Sequence, residues 1–275
     1  VEKTNYVEDK ELLINKYYSS ELIERRKKLM PFTWNHIYEN GKLFGDSLKN
    51  SNFSLTNNKI FSYPGYNEIL TGEADSTINS NAKIYNKNVT VLEKLNQTNN
   101  YKNKIAAFAS WDVFPYIIND KRSGIPVNAG YMEELNIKTP VVDYINKNQK
   151  RTPIIWENVR LDVYTHNLAL EYIKKKKPKL VYIAYGETDD FAHGKKYDFY
   201  INSLNYTDNM IAELWGYVQS NKFYKDNTYF IITTDHGRGL MEDWSGHGTS
   251  KASWLAILGP NIKKTGLVEG KFYTN

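Results

Sequence analysis

Four short stretches of the chain are almost continuously apolar: Ile105 to Trp111, Leu180 to Tyr185, Tyr229-Phe-Ile-Ile232 and Trp254 to Leu258. None alternates polar with apolar residues, so each fits a strand buried on both faces of a parallel sheet rather than one with a wet side. Helical patterning fills the gaps between them. Val159 to Lys177 is amphipathic through Val163, Leu168, Tyr172 and Ile173, and Tyr197 to Asn221 reads as one long helix. Shorter helices are expected at Asn88 to Leu95, from Asp112-Val-Phe-Pro115, and at Thr139-Pro-Val-Val-Asp-Tyr-Ile145. A helix from Ser20 to about Asn40 should be kinked or restarted at Pro31 and stopped at Gly41. Residues 1–20 are polar and weakly patterned, and Ser123 to Tyr131 reads as a glycine-bearing loop. Strands alternating with helices predict an α/β fold, a doubly wound sandwich with a mostly parallel central sheet and helices on both faces. No repeat or linker interrupts it, so residues 1–275 read as a single domain.

Chemistry gathers where the apolar runs stop. After Tyr185 the chain continues Gly186-Glu-Thr-Asp189-Asp190-Phe-Ala-His193-Gly194, and the Tyr229 run breaks into Thr-Thr-Asp235-His236-Gly237. Gly246-His247-Gly248 follows soon after. The carboxyl ends of strands are where open α/β sheets build their sites. One Asp-His pair in a loop is weak, since such residues also make turns. Three of the five histidines in glycine-flanked strand-end settings beside carboxylates are a pattern. Carboxylate oxygens mixed with imidazoles suit zinc or a similar divalent ion, and the chain has no cysteine to offer a thiolate. Asp189, His193, Asp235, His236 and His247 exceed the three protein ligands usual for one catalytic zinc, which implies two ions. Two ions about 4 Å apart clamp the attacking and leaving oxygens of an in-line displacement. His36 and His166 lack any such context and read as structural.

Lys59-Ile-Phe-Ser62-Tyr-Pro64-Gly65 to Thr71-Gly72 reads as a turn at Ser62 followed by a helix with Pro64 in its first turn and Gly72 at its end. A hydroxyl at a helix N-terminus lies where backbone N–H groups favour an anion, which makes Ser62 a candidate nucleophile toward phosphorus; the same position also suits a plain helix cap.

Composition excludes more than it assigns. A net charge of +5 from 36 cationic and 31 acidic side chains does not describe a dedicated nucleic-acid binder. No run approaches the ~18 apolar residues of a membrane span, and no signal peptide is visible. The Lys174 to Lys177 run reads as a solvated helix end complementing the dipole.

Together, Thr-Asp235-His236-Gly, the Asp189-x-x-x-His193 spacing, Gly-His247-Gly and Ser62-x-Pro64 with Thr71-Gly72 resemble the alkaline phosphatase superfamily, nearest its nucleotide pyrophosphatase/phosphodiesterase-like branch. The resemblance runs from Lys59 to Pro260 with the motifs in the family's order. It implies that Asp189, His193 and His247 hold one metal and Asp235 and His236 the other, with zinc first and manganese or magnesium as alternatives. It implies a phosphatase or phosphodiesterase acting on a small phosphorylated substrate through a phosphoserine at Ser62. An asparagine past the nucleophile binds a phosphate oxygen in relatives, and Asn81 is the candidate, with Asn79 next. Export from the cytoplasm is the family habit. Sulfatase-like and phosphoglycerate-mutase-like chemistry are the neighbouring alternatives, as is a degenerate member that binds without turnover. The family's opening strand ending in Asp-Gly and its last helix have no counterpart here, so both are expected to be missing from this chain, and with that aspartate a full second metal site.

Overall fold

A computed structural model describes residues 7–249 and 251–274 and is an α/β structure. Its elements gather into two compact units: the stretches up to Phe61 and from Thr188 to Thr274 form the first, and Ser62–Glu187 forms the second.

The first unit begins with α1 (Lys10–Tyr17), which the sequence pattern does not announce. Only Leu13 and Tyr17 on it are buried, too thin an apolar edge to register as periodicity; Asp9 caps it by accepting the Leu12 N–H. Pro31 breaks the next helix as expected. α2 (Leu22–Leu29) ends at Met30, a π-helical turn occupies Thr33–Ile37, and α3 (Tyr38–Asn40) stops at Gly41. The restart is held from outside by Asp208, a fully buried carboxylate. It accepts the Phe32 N–H at 2.7 Å, the Thr33 N–H at 3.0 Å and the Thr33 hydroxyl at 2.6 Å. Asp208→Ala strands all three donors and is expected to cost about 2–3 kcal/mol, read as a lower urea midpoint of unfolding. β1 (Lys42–Phe44) and β2 (Ser51–Ser54) follow, both too short to carry a pattern of their own.

In the second unit, α4 (Ser62–Thr71) and α5 (Val91–Asn96) precede β3 (Ile105–Ala109). α6 (Phe114–Ile118), α7 (Asp120–Ser123), β4 (Val127–Ala129), α8 (Pro140–Asn148), α9 (Asp162–Lys176) and β5 (Leu180–Ala184) complete it. The sheet order is β4-β3-β5, all parallel. β3 is buried along its whole length, and its period of two divides the core between two helical layers. Ile105, Ala107 and Ala109 pack with Leu70, Leu92 and Phe114 of α4, α5 and α6. Ala106 and Phe108 pack with Val142, Ile145 and Leu168 of α8 and α9. Helices on both faces of a parallel sheet are what a strand without polar alternation requires. β4 lies inside the stretch read as loop, a three-residue strand between glycines that leaves no local signature.

The chain returns to the first unit through α10 (Glu187–His193), α11 (Tyr197–Ser220) and β6 (Phe230–Thr233). β7 (Ala252–Ser253), β8 (Leu255–Leu258), β9 (Gly266–Leu267) and β10 (Gly270–Tyr273) end it. One sheet runs β6-β8-β1-β9 and another β10-β2-β7. The Tyr229 run is not a doubly buried parallel strand. Among the described residues β6 pairs only with β8, antiparallel, at the edge of its sheet, and Ile231 is 70 % exposed. An apolar run reports affinity for a core, not whether a strand lies at the centre or the edge of its sheet. Trp215 of α11 covers the other side, its ring edge-on to Phe230 at 5.1 Å beside Ile37, Leu43 and Leu258.

Candidate metal centre

All five sequence-identified ligands lie in the first unit. Asp189 and His193 are four apart on α10, so they share a face, with His193 Nε2 at 3.2 Å from Asp189 Oδ2. Asp235 and His236 follow directly on the end of β6, and His247 lies in the loop before β7. His247 Nε2 stands 3.4 Å and His236 Nε2 3.8 Å from Asp189 Oδ1, and Asp235 Oδ2 is 3.5 Å from His236 Nε2. One donor atom from each of Asp189, His236 and His247 lies within 4.8 Å of the others. This tight trio draws on both ligand sets implied by the resemblance.

His236 is buried and its Nδ1 lies 2.9 Å from the Gly237 carbonyl, which only accepts, so Nδ1 carries a proton and Nε2 is the nitrogen that faces Asp189 and Asp235. Burial pushes His247 down to about 4, helped by His236, His193 and Arg238, so it is neutral at physiological pH. Its Nε2 lies 3.0 Å from that of His193, and two lone pairs do not face each other that closely without a proton or cation between them. Burial raises the Asp235 carboxyl, against the pull of His236 and His247. Oxygen and nitrogen donors converging this way fit a divalent ion.

Arg238 is the residue the sequence reading missed. Its Nη2 donates to Asp189 Oδ1 and its Nη1 to the Ser245 carbonyl at 3.1 Å. Burial lowers it to about 10, still cationic, so it balances the Asp189 charge. The available signal was a cation two residues past His236 at a strand end.

Ser62 and Asn81 come together in the second unit. Ser62 opens α4, and Asn81 Oδ1 accepts the Tyr63 N–H at 3.0 Å. One of the N–H groups expected to cradle an anion is therefore already capped, and the Asn81 Nδ2 is the side of that amide able to donate to a phosphate oxygen. Elsewhere, His36 stacks on Phe32 at 5.1 Å and His166 is buried with Nδ1 2.9 Å from the Tyr185 hydroxyl. Asp46, just past β1, is taken by Arg26 at 2.6 Å.

Residues 157–265 match the family model described as Metalloenzyme superfamily, a span that contains all five ligands and leaves out Ser62 and Asn81. Among solved structures, the chain is similar to the lipoteichoic acid synthase LtaP from Listeria monocytogenes at 13% identity and a TM-score of 0.61, over 90% of this chain and 63% of that one. It is also similar to a protein in the alkaline phosphatase superfamily from Vibrio parahaemolyticus, at 14% identity and a TM-score of 0.56, over 90% of this chain and 58% of that one. The chain thus spans less than two thirds of either, and at such identity the likeness is one of fold. No curated protein matches the sequence. The family match thus covers the ligand-bearing segment, and the likeness over the rest of the chain is that of an α/β fold shared with a protein of the alkaline phosphatase superfamily.

Proposed function

We propose that the chain is a metal-dependent phosphoric ester hydrolase, a phosphatase or phosphodiesterase. The observation that carries the reading is the convergence of Asp189, His236 and His247 with donor atoms within 4.8 Å, His247 being held neutral by burial. Asp189, His193 and His247 are the proposed ligands of one divalent ion and Asp235 and His236 of a second, zinc first, with manganese and magnesium as the other candidates. Ions held there supply Lewis-acid polarisation of the phosphoryl group. Ser62 Oγ is the proposed nucleophile: its bond to phosphorus forms as the ester P–O bond breaks and the alcohol leaves with a proton, and water then hydrolyses the phosphoserine. The Asn81 amide is proposed to donate to a non-bridging oxygen. Action on a small phosphorylated substrate outside the cytoplasm is part of the same proposal; among the described residues no helix is long and apolar enough to cross a membrane.

Arg238 favours one second reading. Its guanidinium already satisfies Asp189, which suits a chain that binds a phosphorylated ligand without turnover. Elemental analysis after zinc loading, with hydrolysis of p-nitrophenyl phosphate and bis-p-nitrophenyl phosphate, separates the two. Metal uptake with turnover is the expected result, the second ion being the more weakly held because the family's opening-strand aspartate has no counterpart here, and the preferred ester names the subclass. Metal uptake with neither ester cleaved supports the second reading; no metal uptake overturns the centre itself.

A further inference from the structure

One end of the second unit is densely cationic. β3 and β5 run parallel with Ile105 beside Leu180, so the residues leading into both strands meet at the same end of the sheet. The Lys104 carbonyl accepts the Lys179 N–H at 2.8 Å and the Leu180 N–H at 3.2 Å, and Lys179 Nζ stands 5.7 Å from the centre of the Tyr101 ring. The last turn of α9, with Lys174, Lys175 and Lys176, leads into the same corner. We propose that this face binds the surface of a membrane containing anionic lipids.

Charge carries the inference. Residues 101–104, 135–141 and 174–179 hold eight lysines and no acid, and all eight lysines are exposed. Glu171 joins the third stretch to the second: it pairs with Lys174 at 2.9 Å and accepts the Thr139 hydroxyl. That one carboxylate cannot balance eight cations. The helix dipole accounts for only part of them, since Lys102, Lys104, Lys138 and Lys179 lie outside α9. Lys177 also takes φ +50° at the end of α9, the left-handed position where glycine is the ordinary residue. Crowded like charges and a lysine in that conformation both oppose stability, which points to use of the charge.

Apolar side chains among the lysines select lipid over nucleic acid. Leu135 is 77% exposed and Val141 39%, on either side of Lys138 in the chain. Aliphatic side chains placed this way enter the headgroup layer while the ammonium groups meet its phosphates. Nucleic acid asks for other groups: bases are read by bidentate arginine or stacked on open aromatic faces. Every cation in the three stretches is a lysine, and the ring of Tyr101 lies under Lys179.

Bound by this face, the unit keeps the other end of its sheet in solution. β3 and β5 are each five residues long, about 16 Å at ~3.3 Å per residue, and their carboxyl ends run on into Ser110 and Tyr185-Gly186. The end where parallel sheets build sites therefore stays open to a soluble substrate.

Co-sedimentation with vesicles tests the proposal, using phosphatidylcholine alone or with about 30% phosphatidylglycerol, at about 50 and 500 mM salt. Chelator is present throughout, so the result does not depend on metal or turnover. Binding is expected to the anionic vesicles at low salt, and to be lost at high salt or on phosphatidylcholine alone. Replacing Lys104, Lys175, Lys176 and Lys179 together by glutamine should lower the partition coefficient at least about tenfold. The same change at Lys222, Lys225, Lys263 and Lys271, also exposed, removes equal charge elsewhere and should leave it within about twofold. Leu135→Ser should lower it about threefold. Circular dichroism reads the fold of each variant, and Lys175→Gln with Lys176→Gln alone covers a quadruple variant that fails to fold. No binding to the anionic vesicles, equal loss in both quadruple variants, or no loss in Leu135→Ser overturns the proposal. Retention by mixed-sequence duplex DNA but not by vesicles overturns it in favour of nucleic acid.

Discussion

Ser62→Ala is expected to lower turnover of the preferred p-nitrophenyl ester by at least about 10³-fold while metal content stays unchanged. The contrast comes from the placement of the groups: Ser62 opens α4 in one unit, whereas all five proposed ligands sit in the other. Removing the hydroxyl takes away the atom proposed to bond to phosphorus and no donor of the metal centre. His247→Ala should do the opposite at first step and then lose both. It reduces the tight trio to Asp189 and His236, so divalent-ion affinity is expected to fall by more than the roughly 10–100-fold seen for outer-sphere partners alone. Turnover then falls with it. His193 is the milder site, since its side chain is 45% exposed and it stands outside the trio. Metal content by elemental analysis and kcat/KM measured on the same samples check all three. Full turnover in Ser62→Ala would remove the nucleophile from the account, and full metal content in His247→Ala would remove the trio.

The fold was legible where local pattern and final burial coincide. β3 is the clearest case: five apolar residues without alternation, and two helical layers to bury both faces. The proposed ligands could be singled out for a related reason, because glycine-flanked Asp and His at the ends of such runs have few packing uses. The failures share a cause. β1, β2 and β4 are three or four residues long, and each is stabilised by pairing with a strand set elsewhere in the chain, so nothing nearby in sequence marks them. β6 has the composition of a central strand and lies at an edge. Arg238 meets Asp189 only once α10 and the β6 loop are folded together, and no spacing rule joins those two positions.

Asp162→Ala is expected to cost about 3–5 kcal/mol of folding stability, the size typical of breaking a buried charged network. Asp162 is 1% exposed at the start of α9. Its Oδ1 accepts the Ser110 hydroxyl at 2.5 Å and the Gly186 N–H at 2.8 Å, and its Oδ2 accepts the Glu187 N–H at 3.1 Å. Nearby, Arg160 is buried with Nη1 on Asn128 Oδ1 at 2.6 Å and Nε on Thr165 Oγ1 at 2.8 Å. Burial lowers Arg160 to about 9, and Asp162 is the foremost charge opposing that. Alanine at 162 strands three donors and removes that support. The same carboxyl should also set a pH dependence. Burial first, then Glu187, pushes Asp162 up to about 7, above its ordinary value near 4. A raised carboxyl means that the folded state holds the proton more tightly than the unfolded one. Its contribution is therefore complete below about pH 4 and is lost as pH rises through about 7, a slope worth at most roughly 4 kcal/mol. Asp162→Asn mimics the protonated form and removes that slope. The wild-type unfolding midpoint should thus fall from pH 5 to pH 8 more steeply than that of Asp162→Asn, while Asp162→Ala is low at both; parallel curves for wild type and Asp162→Asn would show that the carboxyl stays ionised and that its three donors outweigh its burial. Because Gly186 and Glu187 open α10, which carries Asp189 and His193, the alanine variant is also expected to take up less metal, whereas Asp162→Asn, keeping an acceptor for those N–H groups, should retain it.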